Sequence, residues 1–462
     1  MPPHHPLNDA AADAAASALK PGPLHLATEA DAPTPAPVPR GDAKRWADSM
    51  RSRVADWKRL RARAVRQSGF APPSTAERHE RALRRSLGGP LVAGNRIELL
   101  VDGPATYEAM FAAIDAARDH INIESYIVEA EGPGQELARR LIEKRRQGVK
   151  VHLLFDHFGS LQTASSYFAA LREAGVQMCC FNPLRPSLKS LISKAMHLRD
   201  HRKLMIVDGK VAFTGGVNIA CVHAPQATPG KACTPWRDTH VRIEGPVVAR
   251  LQQLFIDHWA GQTGKRPRLA RYFPPLAVAG TQQVGVAACD AGRRRNPFYT
   301  SLLRAIEMAQ ERICITAAYF VPPRRLVRAL SKAAARGVEV RLVLPSISDS
   351  RPALHAGRSH YGRLLRAGVR IFERQDALLH AKTAVIDGTW ATVGSSNMDW
   401  RSFLHNAEAN VIVLDEDFAQ ALEGVFANDL AHSVEIELEA WRQRGLRQRM
   451  LESLARKFEF FL

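Results

Sequence analysis

"HRKLMIVDGKVAFTGGVN", His201–Asn218, decides the reading of this chain, because "HAKTAVIDGTWATVGSSN", His380–Asn397, says the same thing again. Each stretch reads His, one residue, Lys, four residues, Asp, six residues, Gly, two residues, Asn, and the histidines lie 179 residues apart (380 − 201). One H-x-K-x4-D match is weak evidence, whereas two with the same Gly and Asn offsets point to a duplication. In "KLMIVD" and "KTAVID" the apolar run reads as a buried strand. His201 and Lys203, two residues apart, then share one face, as do His380 and Lys382. If the copies pack together, two imidazoles and two permanent cations converge. That set suits a phosphodiester: the cations stabilise the phosphoryl charge, one histidine attacks phosphorus and the other protonates the departing alcohol. The lysines supply the charge, so this chemistry calls for no cofactor and no metal.

Outside the motifs the text alternates strand and helix. From residue 96 it runs "RIELLV", a helix through Tyr107–Ile114, "INIESYIV", a helix through Leu137–Ile142, "VKVHLLFD", a helix through Tyr167–Leu171 and "VQMCCF". From residue 282 the order returns as "QQVGVAA", a helix through Leu302–Ile306, "RICITAAYFV", a helix through Leu326–Leu330, "VEVRLVLP", a helix through Leu364–Leu365 and "VRIF". Fragments repeat too: "RRQGVKVHLLF" answers "AARGVEVRLVL", and "LREAGVQM" answers "LLRAGVRI". This predicts a duplicated α/β unit, each copy a largely parallel sheet with helices on both faces.

The remaining segments complete a division of the 462 residues. Residues 1–40, half alanine and proline, read as disordered. Residues 41–90 carry thirteen Lys and Arg against five Asp and Glu. There Trp46, Met50, Val54, Trp57 and Leu60 fall on one face of a basic amphipathic helix, which could anchor to a membrane or pack on the body. The first repeat is expected over 91–265, a linker over 266–282, the second repeat over 283–432 and a basic amphipathic C-terminal helix over 433–462. The net charge of +18 implies an anionic partner without choosing among nucleic acid, acidic lipid and acidic protein. No signal peptide or apolar span long enough to cross a membrane is read. Six cysteines without a C-x-x-C pair suggest a reducing compartment and no structural zinc.

The paired motifs resemble the phospholipase D superfamily, over about residues 95–430. The resemblance implies two duplicated α/β/α sandwich repeats related by pseudo-twofold symmetry, with the active site at their interface, and a phosphohistidine intermediate. Carried over, His201 would attack and His380 would act as general acid. Lys203, Lys382, Asn218 and Asn397 would hold phosphate oxygens, and Asp208 and Asp387, as signature residues, would form supporting ion pairs. The family also orients each histidine with a carboxylate, for which Glu408 in "AEANVIV" and Asp238 in "RDTHVRI" stand at matching points before a strand. One departure is Gly215-Gly216 in the first motif against Gly394-Ser395 in the second, which takes a supporting hydroxyl from the first copy.

Within the superfamily, "WRDTHVRIEGP", "AAYFVPP" and "ATVGSSNMDWRSFLHNAEANVIV" are most similar to bacterial cardiolipin synthases, the B type above all. That implies transfer of a phosphatidyl group from one phosphatidylglycerol to another, with glycerol released. It also implies a peripheral enzyme on an anionic phospholipid membrane, at the cytoplasmic face of the bacterial inner membrane, with no obligatory nucleic acid. A hydrolytic phospholipase D, a nuclease or phosphodiesterase of the same superfamily, and a non-catalytic adaptor are the alternatives. Asp156, His157, His197 and His405 read as structural polar residues, and Tyr126 and Tyr319 as either entrance or core aromatics.

Overall fold

The "GV" pair inside each repeated fragment is where helix turns into strand. In the computed structural model, which describes residues 74–183, 198–224, 235–267, 269–293 and 295–462, four helices end on a glycine at positive φ: Gly148, Gly175, Gly337 and Gly368. The following valine bonds back to the carbonyl five residues earlier, as Val149 does to Lys144 and Val338 to Ala333. Gly148 and Gly337 bond to the carbonyls of Arg145 and Ala334, completing a Schellman motif. Each valine is then buried at the start of a strand. The Trp46–Leu60 face and residues 1–40 lie outside the described residues.

The first half contributes β1 (Val92–Val101), β2 (His120–Ser125), β3 (Lys150–Asp156), β4 (Gln177–Phe181), β5 (Lys203–Val207), β6 (Val211–Gly215), β7 (Trp236–Arg237) and β8 (Thr239–Glu244). The second contributes β9 (Gln282–Cys289), β10 (Arg312–Ala317), β11 (Phe320–Val321), β12 (Glu339–Pro345), β13 (Arg370–Arg374), β14 (Leu378–Leu379), β15 (Lys382–Ile386), β16 (Trp390–Gly394), β17 (Met398–Asp399) and β18 (Glu408–Leu414), with β19 (Ser433–Glu435) beyond. Fifteen of these form one sheet, in which β1 and β9 pair antiparallel at the centre. Outward from that pair the order is β8, β6, β5, β2, β3, β4 on one side and β18, β16, β15, β10, β12, β13, β19 on the other.

The sheet is mixed, which corrects the expectation of a largely parallel one. Only β2-β3-β4 and β10-β12-β13 run parallel. One cause is the Asp-Gly pair inside each motif. Asp208 and Gly209, like Asp387 and Gly388, all take positive φ, as the two central residues of a type I′ turn must, so each motif folds as a tight hairpin.

Helices cover both faces. Val248–Thr263 and Glu416–Ala431 bury Leu251, Phe255, Trp259, Phe418, Leu422 and Phe426 in a core that also takes residues from β5, β8, β15 and β18. The opposite face carries a separate core in each half, around Ile114, Leu137 and Leu141 in the first and Leu302, Leu326 and Leu330 in the second. Residues 433–462 form β19, a helix over Leu438–Arg442, a second over Leu446–Lys457 and a 3-10 turn, in place of one continuous helix. Among the described residues, no helix is long and apolar enough to cross a membrane. Cys179, Cys180, Cys289 and Cys314 are free, but Cys221 is disulfide-bonded, against the expectation from cysteine spacing of a reducing compartment with no disulfide framework. Disulfide formation depends on Cα approach through the fold, which sequence spacing does not reveal.

Asp208 and Asp387 lie on the opposite edge of the sheet from Lys203 and Lys382. Each Asp lies five positions beyond its Lys along the strand, roughly 16 Å. The Asp208 carboxylate accepts the backbone N–H groups of Arg118, Asp119 and His120, and Asp387 those of Gln310, Glu311 and Arg312 together with the His79 ring. Both carboxylates clasp a helix-to-strand junction at the far end of the strand from the lysines, and only the His79 contact of Asp387 resembles the expected ion pair. Burial would raise the Asp387 carboxyl, but its hydrogen bonds from His79 and the three amides outweigh that and hold it below the usual value. Asp387→Ala leaves those donors unsatisfied and is expected to destabilise the protein by about 2–4 kcal/mol. A lowered urea midpoint with near-normal turnover by the folded fraction would bear this out, and lost turnover in a protein of unchanged midpoint would refute it.

Candidate active site

Lys203 pairs with Ser125 at the carboxyl end of β2, and Lys382 with Ala317 at the carboxyl end of β10. The site therefore lies where parallel strands end, a recurrent position for ligands in α/β sheets. Strand alternation then sorts the side chains. Between His201 and Lys203, Arg202 points to the other face, fully buried against Glu124 and Asp290. At the matching place in the second copy stands Ala381, also buried.

The two halves are stitched together at the histidines. The His201 N–H donates to the Ala407 carbonyl at 3.0 Å, and the His380 N–H to the Arg237 carbonyl at 2.7 Å, where β14 runs beside β7. Ala407 and Arg237 immediately precede Glu408 and Asp238. Each histidine is consequently paired with the carboxylate of the other half: His201 Nδ1 lies 3.1 Å from Glu408 Oε1, and His380 Nδ1 lies 2.6 Å from Asp238 Oδ2. A carboxylate fixes the Nδ1–H tautomer and leaves Nε2 as the reactive nitrogen.

Ser395 Oγ donates to Glu408. The first copy has no room for such a group, since a Cβ on Gly216 would stand 2.0 Å from Asp238 Oδ1. Asp238 takes the Thr239 N–H at 2.7 Å instead. The departure between the motifs is thus matched by a change of carboxylate, Gly with Asp and Ser with Glu, and neither carboxylate is left unsupported.

The four groups also influence one another's charge. Burial first, then Lys203 and Lys382, push the His201 imidazole down to about 4 against the pull of Glu408. Burial, Lys382, Lys203 and His201 together hold His380 well below its ordinary value. The lysines are not the permanent cations that the sequence suggests: burial brings Lys203 down to about 7 and Lys382 to about 8. Each ammonium donates to the carbonyl of its own histidine, Lys203 at 2.7 Å. Burial also opposes the charge of Glu408, yet His201, Lys203 and Ser395 outweigh it and keep the carboxyl low. An arriving phosphate would restore the cationic forms, because an opposite charge favours them.

The asparagines hold matching places in the two copies, each three residues past the end of its strand, β6 or β16. Asn218 Oδ1 accepts the Ile127 N–H at 3.3 Å, which leaves its NH2 as donor, and the buried Asn397 Oδ1 has no protein partner. Tyr126 places its ring 5.0 Å from His201, and Tyr319 places its ring 6.4 Å from His380, so both border the site. Asp156 accepts the N–H groups of Asp200 and Phe158 and shapes the loop leading to His201, while His157 contacts Cys180 and His405 meets the Phe460 ring. His197 lies outside the described residues.

Two residues of the site are absent from the sequence reading. The Trp236 ring lies 4.7 Å from His380, and the buried His223, with both ring nitrogens unpartnered, lies 3.9 Å from Asp238. The repeat could not reveal them, since neither has a counterpart in the second motif. His223, Asp238 and His380 bring ligand-type atoms within 4.8 Å of one another, as do Glu124, Asp200 and His258. In the first group the His380–Asp238 contact already serves to orient an imidazole, and in the second Arg202 supplies positive charge beside Glu124.

Comparison with known proteins agrees with this geometry. Residues 110–224 and 302–430 match the family described as "Cardiolipin synthase, PLD-like domain". The chain is 36% identical over 369 residues to a cardiolipin synthase of Geobacillus kaustophilus, an alignment covering 79% of this chain and 72% of the relative. It is 38% identical over 372 residues to cardiolipin synthase A of Pseudomonas aeruginosa, covering 80% and 74%. That relative bears the A designation, where the motifs had suggested the B type. A phosphatidylserine synthase of Haemophilus influenzae shares the fold, with a TM-score of 0.62 at 16% identity over 83% of this chain and 100% of that one.

Proposed function

The chain belongs to the cardiolipin synthase family with phospholipase D-like domains, and from that premise we propose a phosphatidyl transfer between two phosphatidylglycerol molecules through His201. The observation that carries the reading is the crossed pairing of His201 with Glu408 and His380 with Asp238 around Lys203 and Lys382. His201 Nε2 attacks the phosphorus of the first phosphatidylglycerol, and the bond to the head-group glycerol breaks. Bound phosphate raises His380 toward its imidazolium form, and His380 gives its proton to the departing alkoxide, so glycerol leaves neutral. His380 then takes the proton from the terminal hydroxyl of the second phosphatidylglycerol. That oxygen displaces His201 and cardiolipin forms. Lys203, Lys382 and the amides of Asn218 and Asn397 hold the non-bridging oxygens, whose charge fixed donors stabilise in a dry site. Asp238 and Glu408 act as positioning residues, with Ser395 behind Glu408. The matching strand orders of the two halves support a pseudo-twofold relation between the repeats.

The test is purified protein in mixed vesicles containing labelled phosphatidylglycerol, beside a His201→Ala, His380→Ala control. Cardiolipin with released glycerol, absent from the control, is the expected result; phosphatidic acid alone would make water the acceptor and overturn the transfer. The lysines add a prediction about pH. They bind phosphate when protonated, so kcat/KM is expected to fall as pH rises through about 7 to 8, where Lys203 and Lys382 lose their protons. A profile still climbing above that window would remove the lysines from phosphate binding.

The net charge of +18 supports a peripheral enzyme at an anionic leaflet such as the cytoplasmic face of the inner membrane. The Cys221 disulfide is the feature that speaks for an oxidising compartment instead. Alkylation of rapidly denatured cells, before and after reduction, decides: a buried Cys221 that is alkylated without reduction speaks for the cytoplasmic side, and one alkylated only after reduction for an oxidising compartment.

A further inference from the structure

Near the end of the chain, Leu446, Met450, Leu454 and Phe458 recur every fourth residue along and just past the helix Leu446–Lys457, and so line one side of it. They are between 55 % and 75 % exposed. Water is a poor environment for such a ridge, and contiguous apolar surface of this kind marks an interaction site. Charge indicates the partner. Arg447, Arg449, Arg456 and Lys457 are exposed around the ridge, whereas the one acid of the helix, Glu452, is turned inward and bonded to Arg444. The next acid, Glu459, is paired with His360. The outward side thus offers apolar groups and cations with no exposed carboxylate of its own, the composition of a helix that lies in the surface of an anionic bilayer.

Its place in the fold ties it to the site. The helix packs against Arg351–Arg358, which follows the 346–350 loop. Asp349 of that loop accepts the Tyr319 hydroxyl at 2.5 Å, and the Tyr319 ring borders His380. Beyond the helix, the Phe460 ring meets Trp400 at 5.7 Å and His405 at 5.4 Å. Further apolar side chains stand exposed on the loops that leave the carboxyl ends of β3 and β12: Phe158 and Leu161 in the first half and Ile347 in the second. Ser160 of the first loop donates to the Tyr126 carbonyl, and the Tyr126 ring borders His201 as the Tyr319 ring, held by Asp349 of the second loop, borders His380, so both loops flank the site.

We propose that the ridge Leu446–Phe458, with the apolar tips of the two loops, is the surface by which this protein lies on an anionic phospholipid bilayer, so that the entrance opens against the lipid headgroups. The choice of a lipid surface rests on the phospholipid reading of the site. The experiment compares the full chain with two variants, Leu446→Ser, Met450→Ser, Leu454→Ser and Arg447→Ser, Arg449→Ser, Arg456→Ser. Each is sedimented with vesicles of phosphatidylcholine alone or mixed with phosphatidylglycerol, and assayed on phosphatidylglycerol dispersed in detergent.

The apolar variant is expected to bind mixed vesicles at least tenfold more weakly, about 1.4 kcal/mol, with its thermal midpoint and detergent turnover unchanged. The cationic variant is expected to lose about fivefold per arginine on mixed vesicles only, an effect that salt abolishes. Wild-type vesicle binding by the apolar variant would overturn the proposal. So would loss of self-association at unchanged vesicle binding, which would make the ridge a contact between copies of the chain. Failure of the function reading shows separately, as absence of turnover in detergent by the unaltered protein whatever its vesicle binding.

Discussion

Replacing His201 with alanine is expected to lower phosphatidyl transfer by more than about 10⁴-fold, and replacing His380 by about 10²–10⁴-fold. The two losses differ in kind. Without His201 no covalent intermediate forms, and no substrate restores it. Without His380 the head-group oxygen must leave as an alkoxide, so a substrate whose leaving group needs no proton, such as a phosphatidyl nitrophenol, should recover the first step. Release of nitrophenol measured for both variants checks this. Rescue of His201→Ala and not of His380→Ala would reverse the assignment, which the near symmetry of the motifs makes a real alternative.

The carboxylates should divide in the same way, and across the halves. Glu408→Gln is expected to cost about 10²–10⁴-fold, because the amide no longer holds the His201 tautomer, with no rescue by the nitrophenyl substrate. Asp238→Asn should cost a similar amount and be rescued, since it acts through His380. A merely structural role for either residue would give losses indifferent to the leaving group. The stakes of the pairing are visible at Gly216, where the Asp238 carboxylate fills the space that any side chain would need.

What the sequence made legible follows from the range of the interactions concerned. The hydrophobic run "KLMIVD" and its two-residue period place His201 and Lys203 on one face, and Arg202 on the other, by local geometry alone. The duplicated "GV" turns were readable because a Schellman motif is decided within six residues. The hairpin is equally local, because an Asp-Gly pair between two apolar runs favours a type I′ turn. The carboxylates were found as types at matching positions. Their crossing was not, because it depends on His201 and His380 being tied by backbone hydrogen bonds to Ala407 and Arg237, some two hundred and one hundred and forty positions away in the chain. Trp236, His223 and the Glu124–Arg202 pair belong to the same long-range class, and burial rather than spacing lowers the two lysines.

The central claim is that His201 carries the phosphatidyl group between two lipids. The most direct measurement mixes the full chain with phosphatidylglycerol, stops turnover in alkali to protect the phosphorus–nitrogen bond, and maps the adduct by peptide mass. A phosphatidyl group on His201, lost on adding further phosphatidylglycerol as cardiolipin appears, is the predicted result. An adduct on His380, or steady turnover with no adduct on either histidine, would contradict it.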